Sequence, residues 1–99
     1  MALPTEPSAD APPDDQPLRV PPDVLSRMLD GEAVILDLTS GTYFGLDAVG
    51  SRIWELIQAG ATPRQIRTTL CEEFEVDDAT VARDLAKLVA TLRGKGLLG

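Results

Sequence analysis

The distribution of proline most constrains what this chain can fold into. Seven of its eight prolines lie within the first 22 residues, together with several acidic residues and almost no large apolar side chain. Such a composition buries too little apolar surface to offset the entropy lost when a chain becomes ordered. We therefore expect residues 1–22 to form a disordered acidic tail and residues 23–99 to fold as one small domain.

Three short segments after the tail have the pattern of an antiparallel meander. Residues 23–29 alternate loosely in hydrophobicity, and "DGE" at 30–32 then turns the chain, with Asp-Gly as the turn signal. Residues 33–38 alternate clearly, and "TSG" at 39–41 turns the chain into a short third strand over 42–46. The pattern predicts a three-stranded antiparallel sheet.

Three helices are expected after the strands, each with its own start signal. Asp47 is the candidate N-cap of a helix over 48–59, and Asp77 is that of a helix over 78–93. Between them, "TPRQ" from Thr62 combines a capping box with proline at the first helical position. Strands followed by helices in this order predict an α+β domain that resembles a winged helix-turn-helix.

Each predicted helix has a stripe of apolar residues at helical spacing, which we expect to face the core. The stripes are Val49, Ile53, Leu56 and Ile57 in the first helix; Ile66, Leu70 and Phe74 in the second; and Val81, Leu85, Leu88, Val89 and Leu92 in the third. The apolar "GLL" at 96–98 is expected to cover the core from below.

Charge and composition argue against several classes of function. The chain carries 16 acidic and nine basic residues, for a net charge of -7, and it has no histidine. An acidic surface repels phosphate groups, so we expect neither nucleic acid nor an anionic membrane as a partner. Cys71 is the single cysteine and has no histidine to activate it, so we expect no catalytic residue, no metal site and no cofactor.

The N-terminal residues lack the basic start and apolar segment of a secretory signal. No apolar run approaches the roughly 20 residues that a membrane-spanning helix needs. We therefore expect a cytoplasmic protein, and a monomer rather than a dimer.

Three of the four aromatic residues, Tyr43, Phe44 and Trp54, lie in the third strand and the helix after it. We expect Trp54 in the core. The third strand lacks the lysine, proline or inward charge that protects an exposed sheet edge, so an extended peptide could pair with it. For Tyr43 and Phe44 two interpretations stay open: they belong to the core, or they form part of a peptide-binding groove with the third helix as its other wall.

DNA binding is an alternative, because the last two helices resemble a helix-turn-helix. In that arrangement the start of the third helix meets the DNA, and here it would present Asp77, Asp78 and Asp84. These carboxylates have the wrong sign for a phosphate backbone. A winged-helix DNA-binding protein therefore ranks below a peptide-binding protein.

Three runs together, "AVILDLTSGTYFGLDAVGSRIWEL", "ATPRQIRTTLCEEFEVD" and "VARDLAKLVATLRGKGLL", resemble PqqD-like proteins, which are also called RiPP recognition elements. The resemblance covers about residues 23–98 and is strongest to the stand-alone leader-binding subunit of lasso-peptide pathways. It implies a three-stranded sheet with three helices and no catalytic activity. The leader peptide of a ribosomally synthesised precursor would bind as an added strand on the third strand, beside the third helix.

The resemblance also implies site residues and partners. The leader-binding residues would be Thr42, Tyr43, Phe44 and Gly45 on the third strand and Arg83, Asp84, Lys87, Leu88 and Thr91 on the third helix. The partners would be a precursor leader peptide and a separate modifying enzyme, which in lasso pathways is a leader peptidase followed by a cyclase. An alternative within the family is a chaperone that presents its precursor to a radical SAM enzyme. The acidic, proline-rich tail is outside the family pattern.

Overall fold

The computed structural model describes residues 15–99. An antiparallel sheet comes first in the chain, with strands in the spatial order β1 (Val24–Leu29), β2 (Glu32–Asp37) and β3 (Tyr43–Gly45). Three helices follow: α1 (Ala48–Gln58), α2 (Pro63–Phe74) and α3 (Asp78–Gly94). This is the predicted α+β, winged-helix-like order, with β2 beginning one residue earlier than the alternation suggested.

The β1–β2 hairpin sets the register of the sheet. Its two turn residues, Asp30 and Gly31, have positive φ angles of 53° and 82°, the combination that a two-residue type I′ turn requires. The resulting register places Ile35 between Ser26 of β1 and Phe44 of β3. The inner face of this row packs toward the helices, where Ile35 is fully buried.

The three predicted helix starts are confirmed. The Asp47 carboxylate accepts a hydrogen bond from the Gly50 N–H at 2.8 Å, and Thr62 forms a capping box with Gln65. At the start of α3, Asp77 accepts hydrogen bonds from Thr80, and these bonds hold the pKa of Asp77 below its ordinary value. Local sequence therefore determines where each helix begins.

A buried hydroxyl ties α1 to the sheet. The Ser51 Oγ accepts a hydrogen bond from the Ala33 N–H of β2 at 2.6 Å and donates one to the Leu46 carbonyl at 3.3 Å. Trp54, one turn further along α1, is 1% exposed and belongs to the core as predicted. These contacts hold the first turn of α1 against the end of β3.

An ion pair on the surface joins α1 to α2. The Arg52 guanidinium donates to both carboxylate oxygens of Glu73, at 2.9 and 2.8 Å. This hydrogen bonding lowers the pKa of Glu73 and raises that of Arg52. Both groups are solvent-exposed enough that the pair orients the two helices more than it stabilises them.

Four residues of the predicted apolar stripes are not fully buried, and one of them is Leu56, which is half-buried against the core. Val49 and Phe74 are 39% and 40% exposed, and Leu88 is half-buried. Helical spacing identifies an apolar face but does not say how far the neighbouring element extends over it. At Val49 and Leu88 the uncovered surface lies beside β3, where it becomes part of the groove described below.

Some residues before the expected domain boundary at residue 22 pack against the domain. Leu18 is 7% exposed and belongs to the core, and the Arg19 carbonyl accepts a hydrogen bond from the Gly99 N–H at 2.8 Å. The average composition of residues 1–22 does not reveal that Leu18 and Val20 both pack against the core. The remainder of the predicted tail, residues 1–14, lies outside the described residues, so its disorder stays a prediction.

We predict that Leu18→Ala destabilises the domain by about 2–3 kcal/mol, because it removes a buried side chain and leaves a cavity. Leu25→Ala makes the same change on the outer face of β1, where the side chain is 51% exposed, and it should cost less than about 1 kcal/mol. Urea unfolding measures both values. Equal losses would show that Leu18 does not pack against the domain.

Candidate functional site: a groove beside the third strand

β3 forms one edge of the sheet, and two hydrogen bonds show which of its backbone groups bind β2. The Asp37 N–H donates to the Thr42 carbonyl, and the Leu46 N–H donates to the Ala33 carbonyl, each at 2.8 Å. Bonds of this kind recur at every second residue of an antiparallel ladder. The even-numbered residues from 42 to 46 therefore direct their N–H and C=O groups toward β2.

The odd-numbered residues face the opposite way. The N–H and C=O groups of Tyr43 and Gly45 point to the open edge, where they offer two donors and two acceptors to an extended chain. A Cβ placed on Gly45 would have nothing within 4 Å, so the edge is also sterically open there. The edge is therefore ready to accept another strand.

The side chains of Tyr43 and Phe44 point to opposite faces of the sheet, as alternation requires. Tyr43 is 73% exposed on the outer face, whereas Phe44 is half-buried and packs against the core. The two residues therefore differ, so neither the core interpretation nor the groove interpretation applies to both of them. Phe44 contributes to the core and to the groove, and Tyr43 contributes its backbone to the edge.

A groove of about 510 Å³ runs between β3 and α3. Six of the nine predicted leader-binding residues line it: Phe44, Gly45, Asp84, Lys87, Leu88 and Thr91. The other three do not. The Thr42 carbonyl bonds to β2, the Tyr43 side chain lies on the outer face, and Arg83 is exposed outside the groove.

A third wall of the groove comes from α1 and the residues that lead into it, which sequence reasoning missed. This wall consists of Leu46, Asp47, Val49, Gly50 and Ile53. A Cβ on Gly50 would lie 3.2 Å from Asp47 Oδ1 and 3.3 Å from Leu46 Cδ2, so glycine allows the first turn of α1 to pack this closely. The only signal in the sequence was the pair Val49 and Gly50 in the first turn of the predicted helix, and it does not show that Val49 is exposed.

One face of α3 lines the groove from Asp84 to Thr91, and Lys95, the residue after the helix, extends this face to the Phe44 ring. Asp84, Leu88, Thr91 and Lys95 recur at the spacing that places side chains on one side of a helix, and we call them the groove stripe. At its far end the Lys95 ammonium lies 5.3 Å from the centroid of the Phe44 ring, a cation–π contact. The stripe therefore begins beside α1 and ends over β3.

The groove suits binding of an extended peptide. Its lining includes the apolar side chains of Phe44, Leu46 and Leu88, and its margin carries the open backbone edge of β3. Within residues 15–99 no group of three or more potential metal ligands occurs, and no helix of this part is long and apolar enough to cross a membrane. Cys71 is half-buried on α2 and does not line the groove.

Comparisons with known proteins agree with this arrangement. The family model described as coenzyme PQQ synthesis protein D (PqqD) matches residues 32–98. A solved structure of TbiB1 in complex with the TbiA(beta) leader peptide is 48% identical, with a TM-score of 0.78 over 81% of this chain and 93% of that chain. A lasso peptide synthetase B1 complexed with the leader peptide is 29% identical, with a TM-score of 0.77 over 84% of this chain and 98% of that chain. A comparison with curated proteins gives no match.

The family match extends from the first residue of β2 to Leu98 and so includes β3, all three helices and the groove. Both solved B1 proteins share the fold over most of their own length. The resemblance predicted from the three sequence runs is thereby confirmed: the chain belongs to the PqqD family.

Proposed function

We propose that this protein binds the leader peptide of a ribosomally synthesised precursor as an added strand on β3. The observation that carries the proposal is the open backbone edge at Tyr43 and Gly45, which runs along a groove whose lining includes apolar side chains. Two B1 proteins of the same fold were each solved with a leader peptide. That ligand class is the one we assign to this chain.

In this proposal the backbone of β3 and the side chains of the groove contribute differently to binding. The N–H and C=O groups of Tyr43 and Gly45 pair with the peptide backbone and give affinity that depends little on sequence. Every second side chain of the peptide then enters the groove between Phe44 and Leu88. Those side chains bury apolar surface and distinguish one peptide from another.

The protein acts as a binding subunit rather than as an enzyme, and it delivers the precursor to a separate modifying enzyme. In a lasso-peptide pathway that enzyme is a leader peptidase, followed by a cyclase. Holding the leader in the groove places the rest of the precursor near the bound enzyme at high effective concentration. The absence of histidine from the sequence and the position of Cys71 outside the groove support a non-catalytic role.

A chaperone that presents its precursor to a radical SAM enzyme is the second candidate, and the description of the matched family favours it. The 48% identity to TbiB1 supports the lasso-type role instead. The DNA-binding alternative gains no support at the start of α3, where Asp77 caps the helix and Asp78 forms an ion pair with Arg67 at 3.3 Å.

We predict that Tyr43→Pro weakens binding of the TbiA(beta) leader peptide by at least about tenfold, because proline removes an N–H from the open edge and its ring obstructs pairing. Isothermal titration calorimetry measures the affinity, and circular dichroism verifies the fold. Tyr43→Ala keeps the backbone N–H and removes only the phenol ring, so its affinity shows how much of the effect comes from the side chain.

Ser26→Pro is the matched control, because it introduces proline at the other edge of the sheet. The Leu38 N–H donates to the Asp23 carbonyl at 2.9 Å, so odd-numbered residues of β1 bond to β2 and the Ser26 N–H faces outward. Binding should therefore stay normal. A folded Tyr43→Pro variant with unchanged affinity, or an equal loss in Ser26→Pro, would contradict strand addition on β3.

We also predict that Leu88→Ala weakens leader binding by about tenfold, because it removes apolar surface from the middle of the groove stripe. Leu56→Ala is the control, since Leu56 is likewise half-buried against the core but lies on α1 outside the groove. It should leave affinity within about twofold of the parent protein. Equal effects of the two variants on affinity would mean that the peptide binds elsewhere.

A further inference from the structure

We propose that the groove selects its peptide by charge order. The peptide presents a basic side chain at the Asp84 end of the groove, an apolar side chain in the middle and an acidic side chain at the Lys95 end. The inference rests on the proposed function and adds to it the class of peptide that the groove accepts.

The groove stripe itself has a charge order. It runs from Asp84 through Leu88 and Thr91 to Lys95, with an acidic residue at one end and a basic residue at the other, and Lys87 lies beside it, next to Leu88. Eleven residues of α-helix span about 16 Å. The two charges are therefore far enough apart to contact different residues of one bound peptide.

The acidic end is strengthened by a second carboxylate. Asp47 lines the same groove where β3 leads into α1, and its Oδ1 accepts a hydrogen bond from the Gly50 N–H. Asp84 forms no ion pair with any other residue of the range 15–99. Two carboxylates thus border this end, and a cation on the peptide would supply the counter-charge.

The basic end is held in place by the Phe44 ring. The Lys95 ammonium lies over that ring, which leaves donors free for a carboxylate. Lys87 also lines the groove, but it lies one helical turn from Asp84 and more than two turns from Lys95, so the positive charge of the far end comes from Lys95. The carboxylate of Asp37 lies near Gly96, but its two oxygens already accept hydrogen bonds from Thr39 and Ser40.

The spacing of an added strand matches that of these charges. Side chains on one face of a strand recur every second residue, so two such positions four residues apart are separated by about 13 Å. Five successive peptide residues, counted from the Gly45 end of β3 toward the Thr42 end, are therefore basic at the first position, apolar at the third and acidic at the fifth. The second and fourth positions are not specified. The reverse order would place carboxylates against Asp47 and Asp84 and a cation against Lys95, which gives selectivity through repulsion.

The test is a substitution scan of the TbiA(beta) leader peptide, in which each residue is replaced in turn by lysine, glutamate or alanine. Fluorescence anisotropy measures the affinity of each peptide. The parent protein should show one position where lysine binds about fivefold more tightly than glutamate, and a second position, four residues away, with the opposite preference. Both preferences should shrink in high salt.

Charge-reversal variants assign each preference to a residue. Asp84→Lys should invert the first preference alone, and Lys95→Glu should invert the second alone, with Lys95→Gln giving no preference there. Glu72→Lys is the control, because it changes the net charge as much as Asp84→Lys does, at an exposed position of α2 outside the groove. It should invert neither preference.

The outcomes separate this inference from the proposed function. If the parent protein binds the leader and the two preferences are absent, or survive both charge reversals, the charge order is wrong and strand addition stands. If the parent protein binds no peptide of the scan, both the proposed charge order and the proposed leader binding are wrong. Two preferences that invert with their own variants establish the charge order.

Discussion

The N–H and C=O groups of Tyr43 and Gly45 point away from β2, and water is their partner until another strand arrives. An edge in this state can pair with any extended chain, so a protein that keeps one must restrict what reaches it. Here β3 is three residues long and has a helix beside it. The open N–H and C=O groups of β3 bind an extended chain, and the groove admits only a chain whose side chains fit beside α3.

The walls of the groove are built before any peptide binds. Ser51 holds α1 against the sheet, and Gly50 allows the first turn of that helix to pack on Leu46. On the opposite wall, Leu85 and Val89 anchor α3 in the core, so that the groove stripe faces β3. Because these elements are already ordered, a peptide loses its own conformational freedom on binding but does not have to order the protein.

Local chemistry explains which parts of the fold the sequence could predict. The capping residues Asp47, Thr62 and Asp77 satisfy backbone groups within their own first turn, so their effect can be recognised without knowledge of the tertiary structure. The Asp30–Gly31 turn is local in the same sense. Leu18 is a different case, because its burial depends on contacts with distant parts of the chain that composition does not reveal.

The site was predictable only in part for the same reason. The resemblance supplied Phe44 and the residues of α3 that line the groove, yet it included Arg83, which lies one residue off the groove stripe. It missed the α1 wall, since the exposure of Val49 depends on how far β3 extends. The sequence also does not show whether the odd-numbered or the even-numbered amides of β3 bond to β2. Two hydrogen bonds between β2 and the residues that flank β3 show that the odd-numbered amides face outward.

Amide hydrogen exchange, read residue by residue by NMR with and without the TbiA(beta) leader peptide, tests strand addition most directly. Exchange should slow at the Tyr43 and Gly45 N–H groups, because they become donors to the peptide. The Ser26 and Met28 N–H groups on the opposite edge should exchange at unchanged rates. Unchanged exchange at Tyr43 and Gly45 under saturating peptide, or protection confined to β1, would show that the peptide does not add to β3.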